Sequence, residues 1–398
     1  MKNRVFLLWL EGLNPESLSA VPSVAKLAAG GVDLQLAPLP LVEKGVSYYQ
    51  TMTGTGSAKF GRFDAVHPEK YLAHEDAGVP DGAFGHLLPD LLRLQKLSVT
   101  FLETKDRTAL ASLSDQTYDC AVVRMLNMDN AGADEVDSIV QRCVELATPE
   151  THIFVLTDVW NPAPRKYVNI NDFLADAGLL EVGASRKRED IIWSETLAYG
   201  LGTGQIWVNL RGRESQGIVG SGREYQEVCD ALVNELRTNW RDPQTNELVV
   251  ELVLRKEEAY SGEYLFKAPD LIVTYRPGYA ASPNASALDF DGQSVSETET
   301  ASSDAPAAAP FARLIAGGSS LSSGTSQAAS LVDIVPTILY LLDRSIPMHV
   351  DGNVISSIFT PAYREQIPVK RFDSDDDLLS DEEEGMIVDR LRDLGYLG

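Results

Sequence analysis

Val5-Phe6-Leu7-Leu8-Trp9-Leu10, followed by Glu11-Gly12, is the stretch that decides how this chain is read. Six apolar residues without alternation suit a strand buried on both faces, as in a parallel sheet covered by helices. The basic start Met1-Lys2-Asn3-Arg4 precedes an apolar run too short for a signal-peptide core or a membrane span, so a first core strand is expected.

Similar short runs recur at Leu97–Leu102, Cys120–Leu126, Ile153–Thr157, Ile206–Leu210, Asp270–Thr274 and Arg313–Ala316. Helical spacing lies between them, at Pro15–Ala29, Ala133–Leu146, Val168–Ala177, Glu224–Trp240 and Ser330–Leu342. Strand and helix therefore alternate, which predicts an α/β protein. In the last helix Pro336 is expected near the first turn, where its missing N–H costs little.

The aperiodic stretch Ala280–Pro310, rich in Ser, Ala, Pro and Asp, reads as a long flexible loop. Residues 361–398 read as an acidic linker and a small docking helix: Phe372–Glu384 carries eight acids and no base, and Met386–Leu391 has apolar residues at helical spacing.

Composition narrows the function. A formal charge of −24 disfavours nucleic acid and anionic lipid, which are bound by clustered Lys and Arg. Phosphate esters stay open as ligands, because a metal centre can supply local positive charge. No stretch approaches 18 uninterrupted apolar residues, so no membrane insertion is expected. Cys120, Cys143 and Cys229 are far apart and odd in number, which favours a reduced, cytoplasmic protein.

Several segments together resemble the type I phosphodiesterase / nucleotide pyrophosphatase branch of the alkaline phosphatase superfamily. They are Tyr167–Leu180, Ile206–Val219, Ala268–Val273, Ala329–Leu339, Met348–Gly352 and Leu391–Gly398. The resemblance implies a three-layer α/β/α sandwich over residues 1–360, with a mostly parallel central sheet. It also implies metal-binding residues at the strand ends, in keeping with ligand binding beyond the carboxyl ends of open sheets. Active members use two divalent ions, which activate a Ser or Thr nucleophile and clamp the oxygens of an in-line displacement.

Position by position, the family pattern is only half kept. Glu11 stands where the family has Asp. The nucleophile position, nine residues before Thr53, falls on Lys44, with Ser47, Thr51 and Thr53 as alternatives nearby. Asp129 and Asp158 are retained, while the imidazole positions beside them hold Ala133 and Val159. A further imidazole position holds Phe60, and the late one falls on Ala308, or on Asp304 if the loop shifts. None of the five histidines, His67, His74, His86, His152 and His349, falls at an expected ligand position.

What the resemblance leaves is a carboxylate trio of Glu11, Asp129 and Asp158. Such oxygens suit a single Mg²⁺, Mn²⁺ or Ca²⁺, with Zn²⁺ less favoured without nitrogen ligands. Alternatively, the acids cap strand and helix ends. Two functions follow as expectations: an inactive relative retained as a binding or assembly subunit, or a metal-dependent phosphoric ester hydrolase with a remodelled site. The first implies a protein partner or oligomer, with no cofactor.

Overall fold

In a computed structural model, the described residues are 3–37, 44–60, 63, 66–69, 72–75, 87–113, 118–160, 163–297, 310–322 and 328–372. They build a seven-stranded central sheet, whose strands in chain order are β1 (Arg4–Leu10), β2 (Val32–Ala37), β3 (Val99–Thr104), β4 (Cys120–Met125), β5 (Thr151–Thr157), β6 (Ala312–Gly317) and β7 (Ala329–Ser330). Across the sheet the order is β7-β2-β6-β5-β1-β4-β3. Only β6 runs against its neighbours; every other pairing is parallel.

The run that opened the chain is the middle of this sheet. β1 pairs with β4 on one side and β5 on the other, and every side chain from Val5 to Leu10 is buried. Its two faces feed two cores. Val5, Leu7 and Trp9 pack with Met52 of helix Lys44–Thr53, with helix Leu88–Leu94 and with helix Ile334–Leu341. Phe6, Leu8 and Leu10 pack with Val24 of helix Pro22–Ala29 and with Val136, Ile139 and Val140 of helix Ala133–Leu146. This is the expected α/β/α layering.

The structure corrects several element boundaries. The stretch read as one helix over Pro15–Ala29 is a 3₁₀ turn, Pro15–Ala20, and a separate helix, Pro22–Ala29. Val21 between them is extended (φ −93°, ψ 114°), as the residue before a proline prefers. Ser330 and Asp333 form a capping box on a 3₁₀ turn, Leu331–Asp333, that leads into helix Ile334–Leu341, of which Pro336 is the third residue.

A larger correction concerns the runs at Ile206 and Asp270. These are not strands of the central sheet. Gln205–Val208 and Leu271–Tyr275 belong to a separate four-stranded antiparallel sheet with Ala198–Leu201 and Val250–Arg255. Helix Arg223–Thr238 packs on this sheet through Cys229, Leu232 and Leu236, giving it its own core. Burial on both faces made the runs look alike, although their partners differ.

The expectation of a loop from Ala280 to Pro310 is also corrected in part. Strands Tyr279–Ala281 and Val295–Glu297 flank Lys166–Val168 in a small sheet, and Pro283–Ser286 is a helical turn. Strands of three residues are too short to show a period. Residues 298–309, with Asp304 and Ala308, lie outside the described residues, as do His86 and the tail from residue 373. Among the described residues no helix is long and apolar enough to cross a membrane.

Candidate functional site

The carboxyl ends of β1, β4 and β5 meet helix Lys44–Thr53, and the sequence-derived positions gather there. Lys44 is the first residue of that helix, so the nucleophile position of the resemblance falls at a helix N-terminus. Ser47, one turn in, is buried, and its hydroxyl donates to Asp158 Oδ1 at 3.3 Å. Thr51 and Thr53 turn their hydroxyls to helix carbonyls, Thr51 to Ser47 O at 2.8 Å and Thr53 to Tyr49 O at 2.7 Å. These two serve the helix.

Asp158 follows the last residue of β5 and is buried. Its neighbour Val159, at the imidazole position, is 5% exposed and packs in the core with Trp9 and Leu156. Ala133 is the first residue of helix Ala133–Leu146, exposed behind its cap Gly132. Phe60 ends the short helix Ser57–Phe60.

The loops after β1 and β4 are tied together. Glu11 N–H donates to Met125 O at 2.9 Å, and Met128 N–H donates to Glu11 O at 2.8 Å. Gly12 lies between them with φ +86°, and a Cβ there would stand 2.7 Å from Asp129 Oδ1. A glycine is therefore needed twice over, for its backbone angle and for the approach of the carboxylate. Asp129 is exposed above this crossing.

Glu11 has taken a partner that sequence reasoning missed. Arg124, from β4, places Nη2 2.5 Å from Glu11 Oε2, and its Nη1 donates to Glu103 Oε2 at 2.7 Å. Trp9, Arg124 and Glu103 stand abreast in the sheet register. The guanidinium lies over the Tyr48 ring, 4.0 Å from its centroid. Burial alone would lower the Arg124 pKa, but Glu11 and Glu103 reverse this and hold it above the ordinary value. Burial, partly opposed by Arg124, pushes the Tyr48 phenol up to about 12, so it stays protonated. The missed signal was a charge inside the apolar run Cys120–Leu126, since a strand buried on both faces tolerates an arginine only with partners.

The trio Glu11, Asp129 and Asp158 thus shares one sheet edge, with each acid in a different setting. Glu11 pairs with Arg124, Asp129 rests on Gly12, and Asp158 accepts from Ser47. Among the described residues no group of three or more His, Cys, Asp or Glu side chains is placed to hold a metal ion.

Among the described residues the histidines lie elsewhere along the chain. His67 and His74 are backbone partners in the register of the hairpin Val66–Glu69/Leu72–Glu75. His349 offers its carbonyl to Lys59 Nζ at 2.5 Å. His152, at the start of β5, accepts at Nε2 from Ser320 N–H at 3.1 Å, and Nδ1 lies 3.3 Å from Arg4 O. That pairing fixes a neutral imidazole with its proton on Nδ1.

A mostly parallel sheet with one reversed strand, helices on both faces, and acids at its carboxyl edge define an alkaline-phosphatase-like fold. Comparison with solved structures bears this out. Human ectonucleotide pyrophosphatase/phosphodiesterase 5 superimposes with a TM-score of 0.54 at 12% identity, over 88% of this chain and 97% of that one. An inactive form of the murine protein in complex with AMP gives 0.53 at 10%, over 92% and 100%. Phosphonoacetate hydrolase from Sinorhizobium meliloti 1021, in complex with phosphonoformate, gives 0.54 at 11%, over 86% and 95%. No protein-family model and no curated protein sequence matches the chain. At these identities the likeness establishes the fold, and function rests on the site.

Proposed function

We propose that this chain is a catalytically inactive protein of alkaline-phosphatase-like fold, retained as a binding or assembly subunit. The observation that carries the reading is Val159. At the position where the family resemblance expects an imidazole, a valine side chain is packed into the hydrophobic core. A side chain so placed offers no lone pair, and the acid before it, Asp158, is engaged by a serine hydroxyl. The three cysteines, all buried and outside any disulfide, support a reducing, cytoplasmic setting.

A second reading draws on Ser47. A buried hydroxyl donating to a buried carboxylate is the beginning of a nucleophile–base pair, which favours a remodelled phosphoric ester hydrolase. Turnover of nitrophenyl phosphate mono- and diesters by the purified chain, with and without Mn²⁺ or Zn²⁺, separates the two. The inactive reading expects no rate above that of Asp158→Ala. A rate that disappears in both Asp158→Ala and Ser47→Ala would overturn it.

A further inference from the structure

The sheet edge already contains a cation, and it belongs to the protein. Arg124 reaches Glu11 and Glu103 with separate nitrogens, 2.5 and 2.7 Å away. Its guanidinium is fixed between strand and helix by stacking on Tyr48 at 4.0 Å and lies 5.8 Å from the Trp9 ring. Arg124 is also the residue of β4 in register with Trp9, two positions before Glu11. It therefore rises from the same sheet face as that acid.

A divalent ion would have to approach a Glu11 oxygen to about 2.0–2.6 Å. At Oε2 that place is already taken by Arg124 Nη2, and the guanidinium would repel a cation approaching either oxygen. Of the other positions, Val159 lies in the core, while the Asp129 carboxylate stands close over Gly12, next to Glu11. With Arg124 in place, the residues present do not fit a metal ion.

We propose that the Arg124 guanidinium stands in for the divalent ion at this edge, so that Glu11 is balanced by protein charge and the site is metal-independent. The proposal relies on the reading above only for where the site lies. It makes its own claim, about charge, whether or not the chain has a substrate.

The test is metal uptake and melting temperature. Wild-type protein, dialysed against Mn²⁺ or Zn²⁺ and then against buffer, should retain far less than one ion per chain by elemental mass spectrometry. Its melting temperature should not move with either ion or with EDTA. In Arg124→Met, Glu11 and Glu103 are released, and Mn²⁺ should raise the melting temperature of the variant, a gain lost again when Glu11→Gln is added. Arg124→Gln provides the same readout if the methionine variant fails to fold.

One ion per wild-type chain, lost in Glu11→Gln, would overturn the proposal. So would a folded Arg124 variant that takes up no more metal than wild type. Ester turnover that persists in EDTA would support metal independence while overturning the inactive reading. Metal uptake without turnover would do the reverse.

Discussion

Two ion-pair clusters in this chain use the same side chains to opposite ends. In the antiparallel sheet, the buried carboxylate of Asp270 accepts from both terminal nitrogens of Arg213, from Lys256 Nζ at 3.1 Å, from Tyr225 Oη at 3.0 Å and from Val208 N at 2.8 Å. Two cations surround Asp270, every lone pair of which is used, and Arg213 Nε also donates to Glu214 Oε1 at 3.0 Å. At the central sheet's carboxyl edge the acids outnumber the cations instead, with one guanidinium between Glu11 and Glu103. A fully enclosed acid with excess donors serves to lock strands and helix together, because nothing can exchange for its partners. An enclosed cation between two partly exposed acids leaves carboxylate surface facing outward, as a vestigial or rebuilt binding edge would.

The largest effect should come from breaking the first cluster. Asp270→Ala leaves Lys256 without its acid and Arg213 with Glu214 alone, and breaking a buried pair in this way costs about 3–5 kcal/mol. Chemical denaturation followed by tryptophan fluorescence should report it. Arg124→Met should cost less, about 1–3 kcal/mol, because Glu103 is 41% exposed and can rehydrate. If the two variants lost equal stability, the distinction between lock and edge would fail.

A smaller effect, read against pH, involves a buried group that carries no charge. Burial lowers the His152 pKa, with hydrogen bonds to Arg4 and Glu150 opposing it in part. The folded protein therefore keeps the neutral ring, while the unfolded chain takes up a proton near pH 6.5. His152 contributes stability above that pH, and the contribution is lost as pH falls through 6.5 toward the lower folded value. Asp270 behaves differently: burial raises its pKa, but Arg213 and Lys256 prevail and hold it below the usual range. Its contribution survives until the solution is acidic enough to protonate ordinary carboxylates. Unfolding free energy measured from about pH 7 to about pH 5 should decline in wild type and flatten in His152→Asn, whereas Asp270 contributes no slope there.

The same contrast explains what the sequence could reveal. Apolar runs report burial, so β1, β4 and β5 were legible, and so were their helices. Burial does not name a partner, which is why Gln205–Val208 and Leu271–Tyr275 read in sequence like the strands of the central sheet. The strand Val32–Ala37 alternates buried and exposed residues, so it presents no unbroken apolar run. Its pairing with the antiparallel β6, far along the chain, leaves no local trace. At the site, the resemblance located Glu11, Asp129 and Asp158, because their places follow from strand ends. Their partners are set by register across strands, and Arg124 was recoverable only by asking why a charge interrupts Cys120–Met125. The approach of Asp129 to Gly12 depends on a backbone angle that no side-chain pattern records.

The smallest predicted effect is the most discriminating for the edge cluster. Glu103 and Glu11 contact the same guanidinium, yet their side chains are 41% and 26% exposed. An exposed ion pair contributes about 0–1 kcal/mol, so Glu103→Gln should shift the denaturation midpoint only slightly. Glu11→Gln should cost more, since its carboxylate is better shielded from water. A double-mutant cycle of each acid with Arg124→Met isolates the pairwise energies from other losses. If Glu11 couples to Arg124 more strongly than Glu103 does, the guanidinium is anchored chiefly to the position at which the resemblance implies a metal ligand. Equal coupling would make Arg124 a plain bridge between β3 and β4, and the cation at this edge a matter of sheet packing rather than of the site.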